Sequence, residues 1–373
     1  MVTGKPQRIR GLGMVKDTAG DKRERKVGIK DVSREAEVSI STVSHVLNGT
    51  ASISPAVRSR VLDAARRLGY LAQRQAKATI SSLETVLLAV PPDTLAQSNI
   101  NLVSWTVLGA LGRECERLGI KLVPLRLEGD TNSARAIVES AQGAGADGIL
   151  LLNVDRRELI QGIAASGMAA VLINGEDSSM RLDSVTPGNR FASALATNWL
   201  IGQGHRNIVH VTWKGRATIR RRGDGFLDAF AEHNLPPDAA RFCFADGWEP
   251  HLGEKAILEW LARHDGLDGA TAIFCAADNL ALGVMRGLQA KGYSIPQDVS
   301  VMGFDGVAPG EFTSPSLSTI NVPLDQMGAA ALHLLEQRVS SDQPARASHR
   351  LELGCQLVVR DSVAPIVVPK RPA

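Results

Sequence analysis

From residue 84 onward, short apolar runs alternate with longer stretches of helical period, and this rhythm restricts the fold more than any other feature. The runs Thr85–Val90, Lys121–Leu125, Gly148–Leu152, Ala170–Ile173, Asn207–Val211, Arg241–Phe244, Ala272–Cys275 and Val299–Gly303 read as strands. Between them Val107–Leu118, Ser133–Ala141, Ala192–Ile201, Gly225–His233, Leu252–Arg263 and Asn279–Lys291 carry apolar residues at helical spacing. Such alternation predicts parallel sheets covered on both faces. Two sets of four strands, divided near Val185–Asn189, predict two similar lobes, and Ser314–Pro323 predicts a return crossover to the first. Ligands of open parallel sheets bind at the carboxyl ends of strands. The expected site is therefore a cleft into which strand ends point from both lobes.

The segment before this core has a different pattern. Residues 29–48 read as two short helices joined by a tight turn, with Val32, Ala36, Val38, Val43, Val46 and Leu47 forming an apolar seam. Ser39 can cap the second helix, with Thr42 three positions on. Ile40, Ser41, Ser44 and His45 are left on the outward face, a set of side chains suited to a DNA major groove. A third helix begins with Ser54 as cap and Pro55 at its first position, and Gly69 ends it. Three helices in so short a span form a small bundle.

Charge distribution supports the same reading. Residues 1–80 hold 16 Lys and Arg against 7 Asp and Glu, whereas the whole chain carries only +3, so the remainder is acidic by about six charges. A basic end attracts phosphate. Residues 1–27 are basic, contain four Gly and show no apolar period, so they are expected to be a disordered extension, with Met14 an alternative start. Cys115, Cys243, Cys275 and Cys355 lack CxxC spacing and lie in or beside apolar segments, which predicts reduced, buried thiols. No apolar run is long enough to span a bilayer, residues 1–27 lack the apolar stretch of an export signal, and a cytoplasmic protein is expected. No metal-ligand spacing, nucleophile–base pair or phosphate loop is present, so no cofactor, metal or catalytic residue is expected. Gly202-Gln-Gly204-His-Arg-Asn precedes a strand where a phosphate loop would open a helix.

Ile-Lys-Asp-Val-Ser-Arg-Glu-Ala, then Val-Ser-Ile-Ser-Thr-Val-Ser, then Val-Leu-Asn-Gly and the closing Gly-Tyr resemble the headpiece of the lactose/galactose repressor (LacI/GalR) family. The resemblance runs from about residue 28 to 360. It implies an α/β protein: an all-α helix-turn-helix headpiece (28–71), a hinge (72–83) and a two-lobed core (84–373) like that of periplasmic binding proteins. Lobe one is expected at about 84–187 and 320–345, and lobe two at 188–319 and 346–373. The implied function is that of a DNA-binding transcriptional regulator, most simply a repressor, controlled by a small carbohydrate in the cleft. The alternatives are control by a nucleotide or partner protein, or a corepressor-dependent form. A sugar-metabolising enzyme or a periplasmic binding protein would leave the headpiece without a use. Candidate DNA contacts are Ser39, Ile40, Ser41, Thr42, Ser44, His45 and Asn48, then Ser54 and Tyr70, and in the hinge Arg74 and Lys77.

Candidate effector contacts follow the apolar runs of the core: Asn174, Trp248, Asp278 and Asp305, together with Arg222. Carbohydrate recognition uses such a mixture, an aromatic ring against the apolar face of the sugar and charged groups bonding its hydroxyls. By resemblance Arg222 matches the family's effector-contacting Arg in Arg-x-x-Gly-Phe, Asp278 the acid of Ala-Asp-Asn-Leu-Ala, and Trp248 the ligand-stacking aromatic. Several positions depart from the family. Glu37 stands where a turn Gly is usual, which costs about 1–2 kcal/mol if the backbone there is left-handed. His45 replaces a recognition-helix Arg, Gly188 an acid, and Thr79 the Leu that wedges the minor groove. The expected partners are roughly palindromic operator DNA, a small-molecule effector and a second copy of the chain. Val363–Ala373 lacks the heptads of a tetramerising helix.

Overall fold

A computed structural model describes residues 28–48, 53–68, 70, 82–95, 101–128, 133–341 and 347–366. The expected extension (1–27) and nearly all of the hinge, with Arg74, Lys77 and Thr79, lie outside them. The chain divides into two compact units, residues 1–80 and 81–373.

The first unit contains α1 (Ile29–Glu35), α2 (Ile40–Asn48) and α3 (Pro55–Arg67). Its core is Val32, Ala36, Val43, Val46, Val61, Ala64 and Ala65, with Val38, Val57, Leu62 and Leu68 packed around them. The seam spacing of the sequence therefore becomes the contact between the helices. The turn after α1 is closed by Ser33, whose hydroxyl donates to the Val38 carbonyl at 2.5 Å. Glu37 sits in that turn at φ 52°, a left-handed position where glycine would be unstrained.

The second unit is built on two parallel sheets. The first has the order β11-β5-β4-β3-β1-β2, from β1 (Thr85–Val90), β2 (Lys121–Arg126), β3 (Gly148–Leu152), β4 (Ala170–Ile173), β5 (Asp183–Pro187) and β11 (Arg350–Leu353). The helices of this lobe are α4 (Leu102–Leu118), α5 (Ala134–Gly143), α6 (Arg157–Ser166) and α11 (Leu324–Val339). The second sheet has the order β7-β6-β8-β9, from β6 (Ile208–Trp213), β7 (Ala240–Ala245), β8 (Ala272–Cys275) and β9 (Ser300–Met302). Its helices are α7 (Asn189–Gly202), α8 (Ala217–Glu232), α9 (Pro250–Arg263) and α10 (Asp278–Ala290). Strands β3, β4, β6 and β8 are mostly apolar and almost wholly buried, as sheets covered on both faces require. Where β10 (Thr319–Asn321) and β12 (Gln356–Val358) pass between the lobes they pair antiparallel.

Two expectations need correction. The first sheet has six strands where four were expected, because β5 and β11 extend its edge. Asp183-Ser-Val-Thr-Pro reads as polar, yet every residue of it is buried, and Arg338 of α11 holds Asp183 with bonds of 2.7 and 3.0 Å. The segment 346–373, expected in the second lobe, is divided: β11 belongs to the first sheet, and the chain crosses back only at Leu353–Gln356.

Cys115, Cys243 and Cys275 are buried free thiols and Cys355 is half-buried. Desolvation pushes Cys115 and Cys243 up to about 11, which keeps them protonated and unreactive. No described helix is long and apolar enough to cross a membrane.

Candidate functional site

On the headpiece, Ser39 caps α2 as its spacing predicts, its Oγ accepting the Thr42 amide at 3.1 Å. The Ser39 hydroxyl also lies 2.8 Å from those of Ser41 and Thr42. Ile40, Ser41 and His45 are exposed, while Ser44 and Thr42 are only half exposed. Ile40, an apolar side chain left 44% open on a helix that otherwise buries its valines, is the kind of group that contacts a thymine methyl. Asn48 is the last residue of α2. One expectation changes here. Ser54 precedes α3 but makes no side-chain cap; Pro55 at the first position defines that start. Tyr70 packs partly against the headpiece core.

In the second unit, a cavity of about 250 Å³ opens at the carboxyl ends of β3, β4, β6 and β8. Asn174, Arg222, Trp248 and Asp305 line it, so four of the five sequence candidates meet there. Trp213, at the end of β6, adds a second indole to the wall. Asn153, Asn174 and Asp305 all have positive φ, at 57°, 53° and 117°. Left-handed backbone after a strand turns the chain sharply and aims each side chain across the strand ends, at the expense of local strain.

Arg222, only 5% exposed, is tied into the wall. Its Nε donates to Asn189 Oδ1 at 2.9 Å, and Nη1 donates to the Ala276 carbonyl and to Asp305 Oδ1, the last at 2.9 Å. The guanidinium lies 3.8 Å above the Phe304 ring. Burial raises Asp305 above the ordinary carboxylate range, and the Arg222 charge acts against that rise.

Asp278 is the candidate that the structure moves. It is fully buried behind the cavity wall, to which its neighbours Ala277 and Asn279 contribute instead. Its Oδ1 accepts the Thr319 hydroxyl at 2.6 Å and its Oδ2 the Val307 amide at 2.8 Å. Asp278 therefore fastens α10 to β10, which runs between the lobes, and to the loop after β9. Burial, aided by repulsion from Asp305, pushes it up to about 7.

Sequence reasoning missed the other half of the wall. Asn153 and Asp155 follow β3 just as Asn174 follows β4, so the rule that found Asn174 applied equally to them. Arg216, in the loop after β6, reaches across to all three: Nε donates to Asp155 Oδ2 at 2.7 Å, Nη1 to Asn153 Oδ1 at 3.0 Å, and Nη2 to the Asn174 carbonyl. Asn174 Nδ2 donates to Asn153 Oδ1 at 2.8 Å, and Asn153 Nδ2 to Ser104 Oγ at 2.9 Å. Two acceptors stay unpaired and buried in this network, Asp155 Oδ1 and Asn174 Oδ1. Buried acceptors without donors cost about 1–3 kcal/mol each. No group of three or more His, Cys, Asp or Glu among the described residues could hold a metal ion.

Comparisons with known proteins agree with this division of the chain. Residues 28–73 match the family described as bacterial regulatory proteins, lacI family, and residues 197–363 match a periplasmic binding protein-like domain. The HTH-type transcriptional repressor PurR of Mannheimia succiniciproducens is 28% identical over 347 residues, covering 91% of this chain and 99% of that protein. The ribose operon repressor of Haemophilus influenzae is 28% identical over 341 residues, covering 90% and 98%. Among solved structures, a complex of the transcriptional regulator CelR with cellobiose superposes with a TM-score of 0.65 at 25% identity, covering 90% of this chain and all of that one. The lac repressor dimer bound to operator and an anti-inducer shares the fold at a TM-score of 0.65 and 22% identity.

Proposed function

We propose that this chain, with its lacI-family DNA-binding region and its periplasmic binding protein-like domain, represses transcription under the control of a small carbohydrate held in the cleft of its second unit. The observation that carries the choice of ligand is a cavity walled by two indoles, Trp213 and Trp248, beside the polar side chains of Asn153, Asp155, Asn174 and Asp305. An indole face covers the C–H side of a sugar ring, and such polar groups bond its hydroxyls. The charges of the cavity cancel within the protein, Arg216 against Asp155 and Arg222 against Asp305, so nothing there favours a phosphorylated ligand.

Operator recognition falls to α2, with Ile40, Ser41 and His45 meeting base edges and the chain acting as a dimer on two half-sites. His45 offers one bond to a base where an Arg offers two. Effector binding changes how the lobes meet, and operator and effector weaken or strengthen one another reciprocally.

The test is a thermal-shift screen of wild type and Trp248→Ala against neutral sugars, glycosides, purine bases, nucleosides and sugar phosphates, followed by operator binding with each hit. A neutral sugar that stabilises wild type, loses its effect in the variant and changes operator affinity supports the reading. Purine bases as the sole hits would replace the carbohydrate with the ligand class of a purine repressor. No hit, with operator binding intact, would point to a partner protein.

A further inference from the structure

The cleft contains a second chamber. A cavity of about 480 Å³ lies beside the first, and Asp155 stands in the wall of both. Its other walls come from both lobes: Arg157, Glu176 and Ser178 on one side, Ala217, Arg220 and Arg221 on the other. Ala217 directly follows Arg216, so the Arg216–Asp155 pair stands between the two chambers. Three separate bonds hold the Arg216 guanidinium in that position while the lobes are in contact.

We propose that the Arg216–Asp155 pair is a partition that limits the effector to a single ring, and that the outer chamber is a second subsite open to a two-ring glycoside only when the partition is absent. The inference rests on the carbohydrate reading of the inner cavity. Size supports it: ligand pockets for drug-sized molecules span about 300–1,000 Å³, the inner chamber falls below that range, and the two chambers joined fall within it. Chemistry supports it as well. The outer chamber sets Arg157, Arg220 and Arg221 against Asp155, Glu176, Asp177 and Asp224, and Arg221 already bonds Glu176 at 3.2 Å. A surface of nearly balanced charge with a serine hydroxyl accommodates a neutral polyol; it has no surplus of positive charge to hold a phosphate.

The experiment measures dissociation constants by calorimetry for full-length wild type, Arg216→Ala, Arg216→Lys and Asp155→Asn. The probes are D-ribose, D-glucose and D-galactose, with cellobiose and lactose as two-ring partners of the hexoses. For wild type, a hexose that binds is expected to do so at least 100-fold more tightly than the disaccharide containing it. Arg216→Ala, with the wall removed, is expected to narrow that ratio to tenfold or less, and Asp155→Asn to narrow it partway. Arg216→Lys cannot make three bonds from one planar group, so it also narrows the ratio while keeping the charge. A wild type that takes the disaccharide as well as its monosaccharide overturns the partition, as does an unchanged ratio in all three folded variants. Binding of ribose alone by wild type, with no gain of two-ring binding in any variant, overturns it too. Absence of binding to any sugar by all four proteins overturns the carbohydrate reading itself, a result distinct from an unchanged ratio.

Discussion

Arg216 and Arg222 stand six residues apart, line the same cavity and each pair with a carboxylate, yet their surroundings differ. Arg222 and Asp305 have side chains only 6% and 11% exposed, and the guanidinium lies over the Phe304 ring and donates to the Ala276 carbonyl just after β8. Arg216 and Asp155 are 25% and 22% exposed and join one lobe to the other. The first pair lies within one lobe and its bonds survive any movement between lobes; the second must break if the cleft opens. The same two chemical groups therefore make a structural strut in one place and a separable contact in the other, and burial decides which.

The largest expected effect tests the strut. Arg222→Ala leaves Asp305 buried without its cation and beside Asp278, and should cost about 3–5 kcal/mol in denaturant unfolding. Replacing both partners by apolar residues, Arg222→Met with Asp305→Leu, should recover most of that loss, because an apolar pair has no charge to desolvate. A loss below about 1 kcal/mol for Arg222→Ala would erase the distinction between the two pairs.

Asp278 sharpens the account of the buried side. Its folded pKa, about 7, lies above the unfolded value, so the folded state holds a proton that the unfolded state releases. Stability from this group is then fully present below the ordinary carboxylate range and is lost as pH rises towards 7. His210, pushed down to about 3 by burial, has the opposite sign: its stabilising neutral form is fully present above the ordinary imidazole range and is lost on acidification. Asp278→Asn should remove only the first contribution. The stability gap between wild type and variant should shrink between pH 4 and pH 7 by on the order of 1–3 kcal/mol, at about 1.4 kcal/mol per pKa unit. A gap independent of pH would mean that Asp278 is ionised throughout and that burial does not govern this side of the cleft.

What could be read from the sequence follows the same division between local and distant causes. The buried strands and amphipathic helices were legible because period and composition are local properties, and the Arg222 environment follows from a helix whose Gly225 and Phe226 pack inward. Strand β5 was not legible, since Asp183 is satisfied by Arg338, a residue 155 positions away. Asp278 was misplaced for a related reason: nothing near it in sequence reveals that Thr319 and the Val307 amide occupy its oxygens. Asn153 and Asp155 were within reach of the strand-end rule. Arg216 was not, because its significance lies in bonds to the opposite lobe.

A smaller effect is expected for the separable pair. Arg216→Ala should lower stability by about 1 kcal/mol or less, since the lips of the cleft can separate and admit water to Asp155. A cost near that of Arg222→Ala would show that the lobes are locked together by this contact, and the cleft would then lack the freedom that effector control requires.

Salt provides the finest discrimination. Screening shortens from about 10 Å at 0.1 M to about 3 Å at 1 M, but acts fully only on charges that ions can approach. The stability difference between wild type and Arg216→Ala should therefore shrink as salt rises over that range, whereas the difference for Arg222→Ala should hold constant. The comparison cancels the general effect of salt on the rest of the chain, because every protein shares it. Equal salt dependence of the two differences would mean that ions reach both pairs alike, and that the sealed character of the Arg222–Asp305 strut is lost in solution. Unequal dependence, with Arg216 the sensitive one, is what a cleft that opens at its lip and stays rigid at its base requires.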